Sequence, residues 1–490
     1  MGARAGSDFT LRQRFLGGAA WTGSSRILTS VLGVFVTAVV ARLLDPKDFG
    51  LLAMATVFSG LADQTQYFGV GPALIQRETV THENRRAAFT IALVSSALIY
   101  LVLFICAQPI AWWYKDERVA PIVRVIALNF PIAALSVVPR ATLRRNLTLR
   151  GEAVTSVVVM LSDASITILF AFLGFGVWAL VAGHLFGTAV TAVGLSIASP
   201  WRPALGLRGG DARSLLRFGG GITVSSYLWY AYRSADLLII GRSLGSAASG
   251  IYSMALNLAK MPMEKLWMAV TPLLFPLYSQ ARSKPGELGR VLRRMTRYNA
   301  LMLFPLAAGL AAVADDAVAV VLGEKWVAAA APLRFLCIYL LVRSVAALLP
   351  PVLQAIGELK RLVLFHAACL VVLPAGFMLG LPWGPAGVAL AWVVGYPVLT
   401  FALLLPPTLR AVDLSAKSYF SVLLRPAAAT ALMVLAVVAA GLLPLHGIAR
   451  LAVRMVAGGI VYLASVRALE GSIVEEIRGL LKDVRHGVRA

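Results

Sequence analysis

The sequence predicts an all-α polytopic membrane protein of about fourteen transmembrane helices, arranged as two six-helix lobes in a pseudo-twofold relation plus two C-terminal helices. Three observations predict it. Of the 490 residues, 59% are hydrophobic and only 14% charged, well to the apolar side of a soluble domain, and mean hydropathy is +0.80. Apolar runs cover the chain from about residue 15 to about residue 469, leaving no room for a large soluble domain. A turn also occurs twice, 200 residues apart. It reads Arg42-Leu43-Leu44-Asp45-Pro46-Lys47-Asp48-Phe49-Gly50-Leu51-Leu52-Ala53-Met54-Ala55, then Arg242-Ser243-Leu244-Gly245-Ser246-Ala247-Ala248-Ser249-Gly250-Ile251-Tyr252-Ser253-Met254-Ala255. Each copy joins the end of one long apolar run to the start of the next. A duplication of this kind implies two related lobes, and substrate sites of secondary transporters usually lie between such lobes.

A helix needs about 20 apolar residues to cross the hydrocarbon. Reading the runs against Gly, Pro and charge breaks gives spans at 15–44, 51–70, 87–108, 119–138, 154–174, 176–198, 215–241, 247–280, 298–322, 331–357, 361–381, 384–409, 420–443 and 447–468. The first follows Arg4, Arg12 and Arg14 and has no small-residue cleavage site, so it reads as a retained helix rather than a signal peptide. Gly174-Phe175-Gly176 is the turn between the fifth and sixth, and the eighth carries Lys260, Glu264, Lys265 and three prolines.

Orientation follows from Lys and Arg. With the N-terminus inside, cytoplasmic segments hold thirty and outer segments seven, and this asymmetry supports an even number of spans. Trp112-Trp113-Tyr114 lies where the third span meets the outer interface, and Trp326 and Trp383 sit at other outer ends. The net charge of +22 is thus spread over alternate loops, which is the signature of membrane orientation and not of a nucleic-acid partner.

The copies of the turn are separated by six spans and both fall at the outer face. The halves therefore share one orientation, related by an axis along the membrane normal. A weaker echo pairs Gly176-Val177-Trp178-Ala179-Leu180 with Gly387-Val388-Ala389-Leu390-Ala391. The expected organisation is an N-lobe at 1–198, a cytoplasmic linker at 199–214, a C-lobe at 215–410, two further helices within 411–469 and a tail at 470–490. The tail shows helical apolar spacing (Ile473, Val474, Ile477, Leu480, Leu481, Val484) opposite basic residues, as in a helix lying on the membrane surface.

The stretch 42–55, with its continuation Tyr67-Phe68-Gly69-Val70-Gly71-Pro72-Ala73-Leu74-Ile75-Gln76-Arg77, resembles the first periplasmic turn of Wzx-type polysaccharide transporters. Gly250-Ile251-Tyr252-Ser253-Met254-Ala255 is similar to the matching turn of their second lobe. These belong to the multidrug/oligosaccharidyl-lipid/polysaccharide exporter superfamily. The resemblance covers the whole chain. It implies a bacterial inner-membrane location with both termini cytoplasmic, and movement of undecaprenyl-pyrophosphate-linked repeat units of O-antigen (lipopolysaccharide) or exopolysaccharide from the inner to the outer leaflet. It does not name the sugar.

An ionisable group in a span is costly and is by default a functional candidate. Arg26 is twelve residues past Arg14, so roughly 18 Å deep. Asp63 lies in span two, Asp163 in span five, Arg233 and Asp236 on one face of span seven, Lys260, Glu264 and Lys265 in span eight and Arg343 near the middle of span ten. If the superfamily architecture holds, spans one, two, seven and eight line a cleft, and most of their charges reach a common aqueous cavity. Cations outnumber anions there, which suits a pyrophosphate. The candidate pyrophosphate and sugar site is therefore Arg26, Asp63, Arg233, Asp236, Lys260, Glu264, Lys265 and Arg343, with Arg26, Arg233 and Lys260 holding the phosphates. Asp63 and Asp163 are the candidates for a coupling proton or Na⁺.

Each has a plainer reading. Arg233 with Asp236, and Lys260 with Glu264, also fit as neutralised pairs that hold helices together. Membrane aspartates also bond neighbouring backbone or Arg. Arg124, Arg334 and Arg454 lie near the outer face, where long side chains snorkel. Asp315-Asp316 faces water or a weak cation site, and His184 and His366 stand alone in apolar spans as packing or hydrogen-bonding residues rather than ligands. Cys106, Cys337 and Cys369 are far apart in apolar runs, with no disulfide or metal spacing. Prolines in or at the ends of spans, such as Pro131, Pro262 and Pro305, are hinges or tolerated bends.

No enzyme signature is present: no phosphate-binding loop, no paired carboxylates or His cluster on an aqueous loop, and no long outer loop. No cofactor or metal is expected. The reading is a flippase working by alternating access on a lipid-linked oligosaccharide, in contact with membrane lipids and with the polysaccharide polymerase and export machinery as candidate partners. The alternatives are an ion-coupled antiporter of the same fold for small molecules such as cationic drugs, which needs an acidic cavity, and a non-transporting lipid-binding scaffold.

Overall fold

The structure is a computed structural model and describes residues 29, 32–63, 71, 74–75, 80–146, 148–206, 209–282 and 286–469. Arg26 and the expected tail helix lie outside these residues. The described residues contain helices and no strand. Seven of these helices are long and apolar enough to cross a membrane, or nine if two bent pairs each count as one crossing. The protein is a multi-pass membrane protein. Its residues form two compact units, Met1–Gly250 and Ile251–Ala490.

The first unit opens with α1 (Leu32–Leu43) and α2 (Pro46–Asp63). α3 (His82–Tyr114) runs past both predicted limits of span three. It starts early because Thr81 and Asn84 form a reciprocal capping box, and it ends where Lys115 turns left-handed at φ 57°. Span four is broken into α4 (Val119–Ile126), α5 (Asn129–Ala134) and α6 (Val137–Arg145), with a 42° bend before α6. α7 (Leu149–Phe172) and α8 (Val177–Ala198) form a hairpin around Gly174-Phe175-Gly176, where the sequence places the break. Small residues bring them together: Gly183 and Gly187 face Asp163, and Gly194 faces Thr155. Close backbone approach of this kind holds helices together in lipid, where apolar burial gives no drive.

The segment after α8 is stitched to α3. Trp201 is buried, with its ring 5.3 Å from that of Phe89, and Gly206 N–H donates to Thr90 Oγ1 at 3.0 Å. α9 (Gly209–Ala281) is continuous except at Gly245, whose φ of 82° and ψ of −174° are open only to glycine. The unit is centred on Met54, Ala107, Ala111, Ile122 and Phe130, all buried.

In the second unit, α10 (Glu287–Ala312) turns through 75° into α11 (Ala314–Val321). Span nine is therefore a long helix plus a short one, broken at Val313. α12 (Ala330–Ala346), α13 (Leu349–Ile356), α14 (Leu359–Gly380) and α15 (Gly384–Leu399) follow, with α15 passing through a π turn at Thr400–Leu404 into α16 (Leu405–Ala411). α17 (Ala416–Ala440) and α18 (Gly447–Leu469) pair with one another, and α17 packs against α10. Buried Tyr339, Trp392, Tyr396, Phe365 and Phe377 fill the space between α12, α14 and α15, and Trp392 Nε1–H donates to Tyr252 Oη at 3.1 Å.

Candidate functional site

The two copies of the turn meet each other. A Cβ on Gly50 would collide with the backbone carbonyl of Ser246, and a Cβ on Gly250 with that of Pro46. At the 200-residue offset these are one contact made twice, position 50 to 246 and position 250 to 46. Only glycine lets the backbones come this close. Neighbouring residues brace the junction. Gly241 rests against Tyr114 and Met54, the Arg242 guanidinium lies 5.3 Å from the centre of the Trp113 ring, and Arg118 Nη2–H donates to Ser246 Oγ at 3.4 Å. Arg118 is itself held by Asp116, Nη2 to Oδ2 at 2.7 Å. Hydrogen bonding to that guanidinium keeps the Asp116 carboxyl below the usual carboxylate range.

From this junction α2 and α9 carry three of the predicted site residues to one place. Tyr230 Oη–H donates to the Val57 carbonyl at 3.0 Å, and its hydroxyl fills the space a side chain at Gly60 would need. The same phenol lies within electrostatic reach of Asp63, Arg233 and Asp236. Arg233 sits over the Trp229 ring at 4.7 Å from its centre, a contact that orients the guanidinium. Asp236 is 1% exposed, and its Oδ1 accepts from Leu237 N–H at 2.7 Å. Sequence spacing links Arg233 to Asp236. Tyr230 and Gly60 have no sequence signal as partners, because their contact crosses between helices some 170 residues apart, whereas Trp229 stands four residues before Arg233 on one face of α9.

Asp163 lies elsewhere in this unit, in a cavity of about 340 Å³ lined also by Thr37, Phe49, Met160, Thr167 and His184. Thr167 Oγ1–H donates to Asp163 Oδ1 at 3.2 Å. The carboxylate and the His184 imidazole interact across the α7–α8 hairpin. The sequence treats His184 as a packing or hydrogen-bonding residue. The structure adds an acidic neighbour 21 positions away and a cavity. Asp63 and Asp163 thus belong to different surroundings.

The remaining candidates are in the second unit. Lys260 is half-buried and Glu264 exposed, both on α9 after its break, and Lys265 shares that stretch of helix. Arg343 Nη1–H donates to Tyr339 Oη at 2.6 Å, at the edge of the buried aromatic cluster. One outer-face expectation changes. Arg454 does not snorkel: it is 8% exposed, donates to the Val437 carbonyl at 3.1 Å and the Ala312 carbonyl at 2.8 Å, and pairs with Asp316. Its charge thereby meets the carbonyl-rich ends of α10 and α17, where a cation is stabilised. Asp315 pairs with Arg334 at 2.6 Å and keeps 70% of its side chain exposed, so it faces water as the sequence suggests. Arg124 lies 5.3 Å from the centre of the Phe104 ring.

Residues 39–331 match the polysaccharide biosynthesis protein family. The chain is similar to the lipopolysaccharide biosynthesis protein WzxC of Escherichia coli K12, 25% identical over 82% of each chain. It is 27% identical to the succinoglycan biosynthesis transport protein ExoT of Rhizobium meliloti, over 69% of this chain and 68% of the relative. Among solved structures, its fold is similar to that of the lipid II flippase MurJ in an inward closed conformation. The TM-score is 0.70 at 12% identity, over 92% of this chain and 99% of that one.

Proposed function

We propose that this chain, which belongs to the polysaccharide biosynthesis protein family, translocates lipid-linked oligosaccharide repeat units across the bacterial cytoplasmic membrane by alternating access. The substrate in this reading is an undecaprenyl-pyrophosphate-linked unit of O-antigen or exopolysaccharide, taken from the inner leaflet and released to the outer. The biosynthetic roles named for WzxC and ExoT and the shared fold of the lipid II flippase support it. The observation that carries it within this chain is the Arg233 guanidinium, set on Trp229 beside Asp63, Tyr230 and Asp236 on the helices that flank the duplicated turn.

In this mechanism, Arg26 and Arg233 hold the pyrophosphate and Lys260 adds a third cation. Arginine offers planar paired donors to phosphate oxygens, and a cationic aqueous path lowers the cost of drawing the headgroup through hydrocarbon. The sugars travel in water while the polyprenyl tail stays in lipid. The cations prefer an anionic headgroup to the cationic cargo of a drug antiporter. Asp163, with Thr167 and His184 around a cavity, is the coupling-ion candidate, binding a proton or Na⁺.

The test is surface polysaccharide made by the Arg26→Ala, Arg233→Ala double variant at wild-type protein level. Loss of polymer is expected, and normal polymer sinks the phosphate clamp. For Asp163→Asn, transport in proteoliposomes should lose its response to an imposed ion gradient. A wild-type transporter indifferent to both proton and Na⁺ gradients removes the coupling role.

A further inference from the structure

A second cavity of the first unit lies along α6, about 220 Å³ in volume and lined by Gly71, Ile75, Ser136, Val137, Arg140, Ala141 and Arg144. Ser136, Arg140 and Arg144 recur every four residues and so form one ridge along this side of the helix. Two arginines here have their charge or donors engaged. Arg144 grips Glu152 with two nitrogens, the shortest contact being Nη2–Oε1 at 2.6 Å. Arg145 donates from Nη1 to the carbonyls of Leu74 and Ile75 at 3.3 and 3.4 Å, fixing the opposite wall. Arg140 differs: its Nε is buried and meets no acceptor among the described residues. An unsatisfied buried donor on a charged group is costly, and the cavity it lines has room for the acceptor.

The rest of the wall says what kind of acceptor. Ile75, Val137 and Ala141 are apolar, and the site ends a bent membrane-crossing segment, so it presents one cation beside hydrocarbon-compatible surface. We propose that this cavity binds the phosphate of a lipid headgroup, with Arg140 as its ligand. In the orientation read from the basic loops, the site is at the cytoplasmic surface, where a lipid-linked substrate would arrive. It is separate from the Arg233 group on α2 and α9. Two headgroups carry the required chemistry: an anionic phospholipid, and the pyrophosphate of the lipid carrier, the latter resting on the function proposed above.

The experiment measures binding to the purified full chain in detergent by native mass spectrometry, with phosphatidylglycerol, undecaprenyl pyrophosphate and the uncharged undecaprenol as probes. Arg140→Gln removes the cation. Ile75→Glu, at an exposed position, gives Arg140 an internal carboxylate and keeps the arginine. Both variants should weaken a phosphate-bearing probe at least about tenfold, as expected for a charge-assisted hydrogen bond, and leave undecaprenol unchanged. Sensitivity of undecaprenyl pyrophosphate alone identifies the substrate headgroup, and sensitivity of both phosphates identifies a general lipid-phosphate site. Wild-type binding of both phosphate probes by both variants overturns the site and leaves the flippase reading standing, as does equal loss of undecaprenol. Conversely, a chain that moves no oligosaccharide yet binds phosphatidylglycerol through Arg140 keeps the site and loses that reading.

Discussion

In the first copy of the duplicated turn the chain leaves the helix at Leu44 and Asp45 and re-enters it at Pro46. The new helix is closed by Asp48, whose Oδ2 accepts from Asp45 N–H at 3.2 Å. In the second copy there is no loop, and one residue, Gly245, interrupts an otherwise continuous helix. Pro46 cannot continue a helix and Ser246 can, so the same spacing is met by two backbones. What both copies keep is the glycine that lets each approach the other's carbonyl. The charges diverge. At the 200-residue offset Arg233 aligns with Gly33, Asp236 with Val36, Lys260 with Gly60 and Asp63 with Met263. The duplication therefore preserves the junction and not the ionisable groups, as expected if one asymmetric substrate is handled by two unequal halves.

The strongest way to break this comparison is to add a side chain at the shared position. Gly50→Ala and Gly250→Ala should each cost about 3 kcal/mol, the upper end for overpacking, because the obstacle is backbone and cannot rotate away. The reciprocal geometry predicts equal losses from the two, read as matching falls in the unfolding midpoint in detergent. A benign substitution at either site would show that the contact is one-sided. The next largest effect separates the copies. Gly245→Asp places a side chain in a glycine-only conformation and should cost about 1–3 kcal/mol. Asp45→Gly, its mirror exchange, should change stability by only a few tenths, since glycine is an acceptable residue before a helix. Equal penalties would mean that the two turns share one backbone after all. Tyr230→Phe should cost about 1 kcal/mol by leaving the Val57 carbonyl without this donor. It should also reduce transport, because Asp63, Arg233 and Asp236 lose a hydroxyl within their electrostatic reach, whereas an unchanged transport rate would confine Tyr230 to packing.

Much of the architecture is legible in the sequence because it rests on local patterns. Apolar length marks the helices, Gly174-Phe175-Gly176 marks the α7–α8 turn, and the repeated Arg-Leu-Gly-Met-Ala spacing marks the junction. Bends are harder to read. Pro131 and Pro139 allow a bend in 119–145 without fixing its 42°, and Asp315-Asp316 interrupts the apolar run just after Val313 without announcing a 75° turn, since composition records how apolar a segment is and not its direction. Side-chain partners are hardest of all. Arg233 and Asp236 can be linked by helical spacing, but Arg454 meets Asp316 across 138 positions and His184 meets Asp163 across a hairpin. For the same reason, Arg140 stands out only once Arg144 and Arg145 are seen to be engaged by Glu152 and by carbonyls of Leu74 and Ile75.

The smallest expected effect concerns the brace beside the second copy. Asp116 holds Arg118, Arg118 reaches Ser246, and Asp48 of the first copy also acts on the guanidinium. The carboxyl of Asp116 titrates below its ordinary value because it accepts from Arg118. A depressed carboxyl stabilises the folded state above its unfolded pKa of about 3.9 and loses that contribution as pH falls through the lower folded value. Arg118 is largely exposed, with 59% of its side chain accessible, so after solvent screening the pair is worth about 0.2–1 kcal/mol. Asp116→Asn should therefore lower the unfolding midpoint slightly at pH 6, and the difference from wild type should shrink as pH falls below about 4. High salt should shrink it too. A difference that persists at acid pH would assign the effect to packing around Ser246 rather than to charge. A difference larger than that of Gly50→Ala would mean that the brace, and not the paired glycines, holds the two copies together.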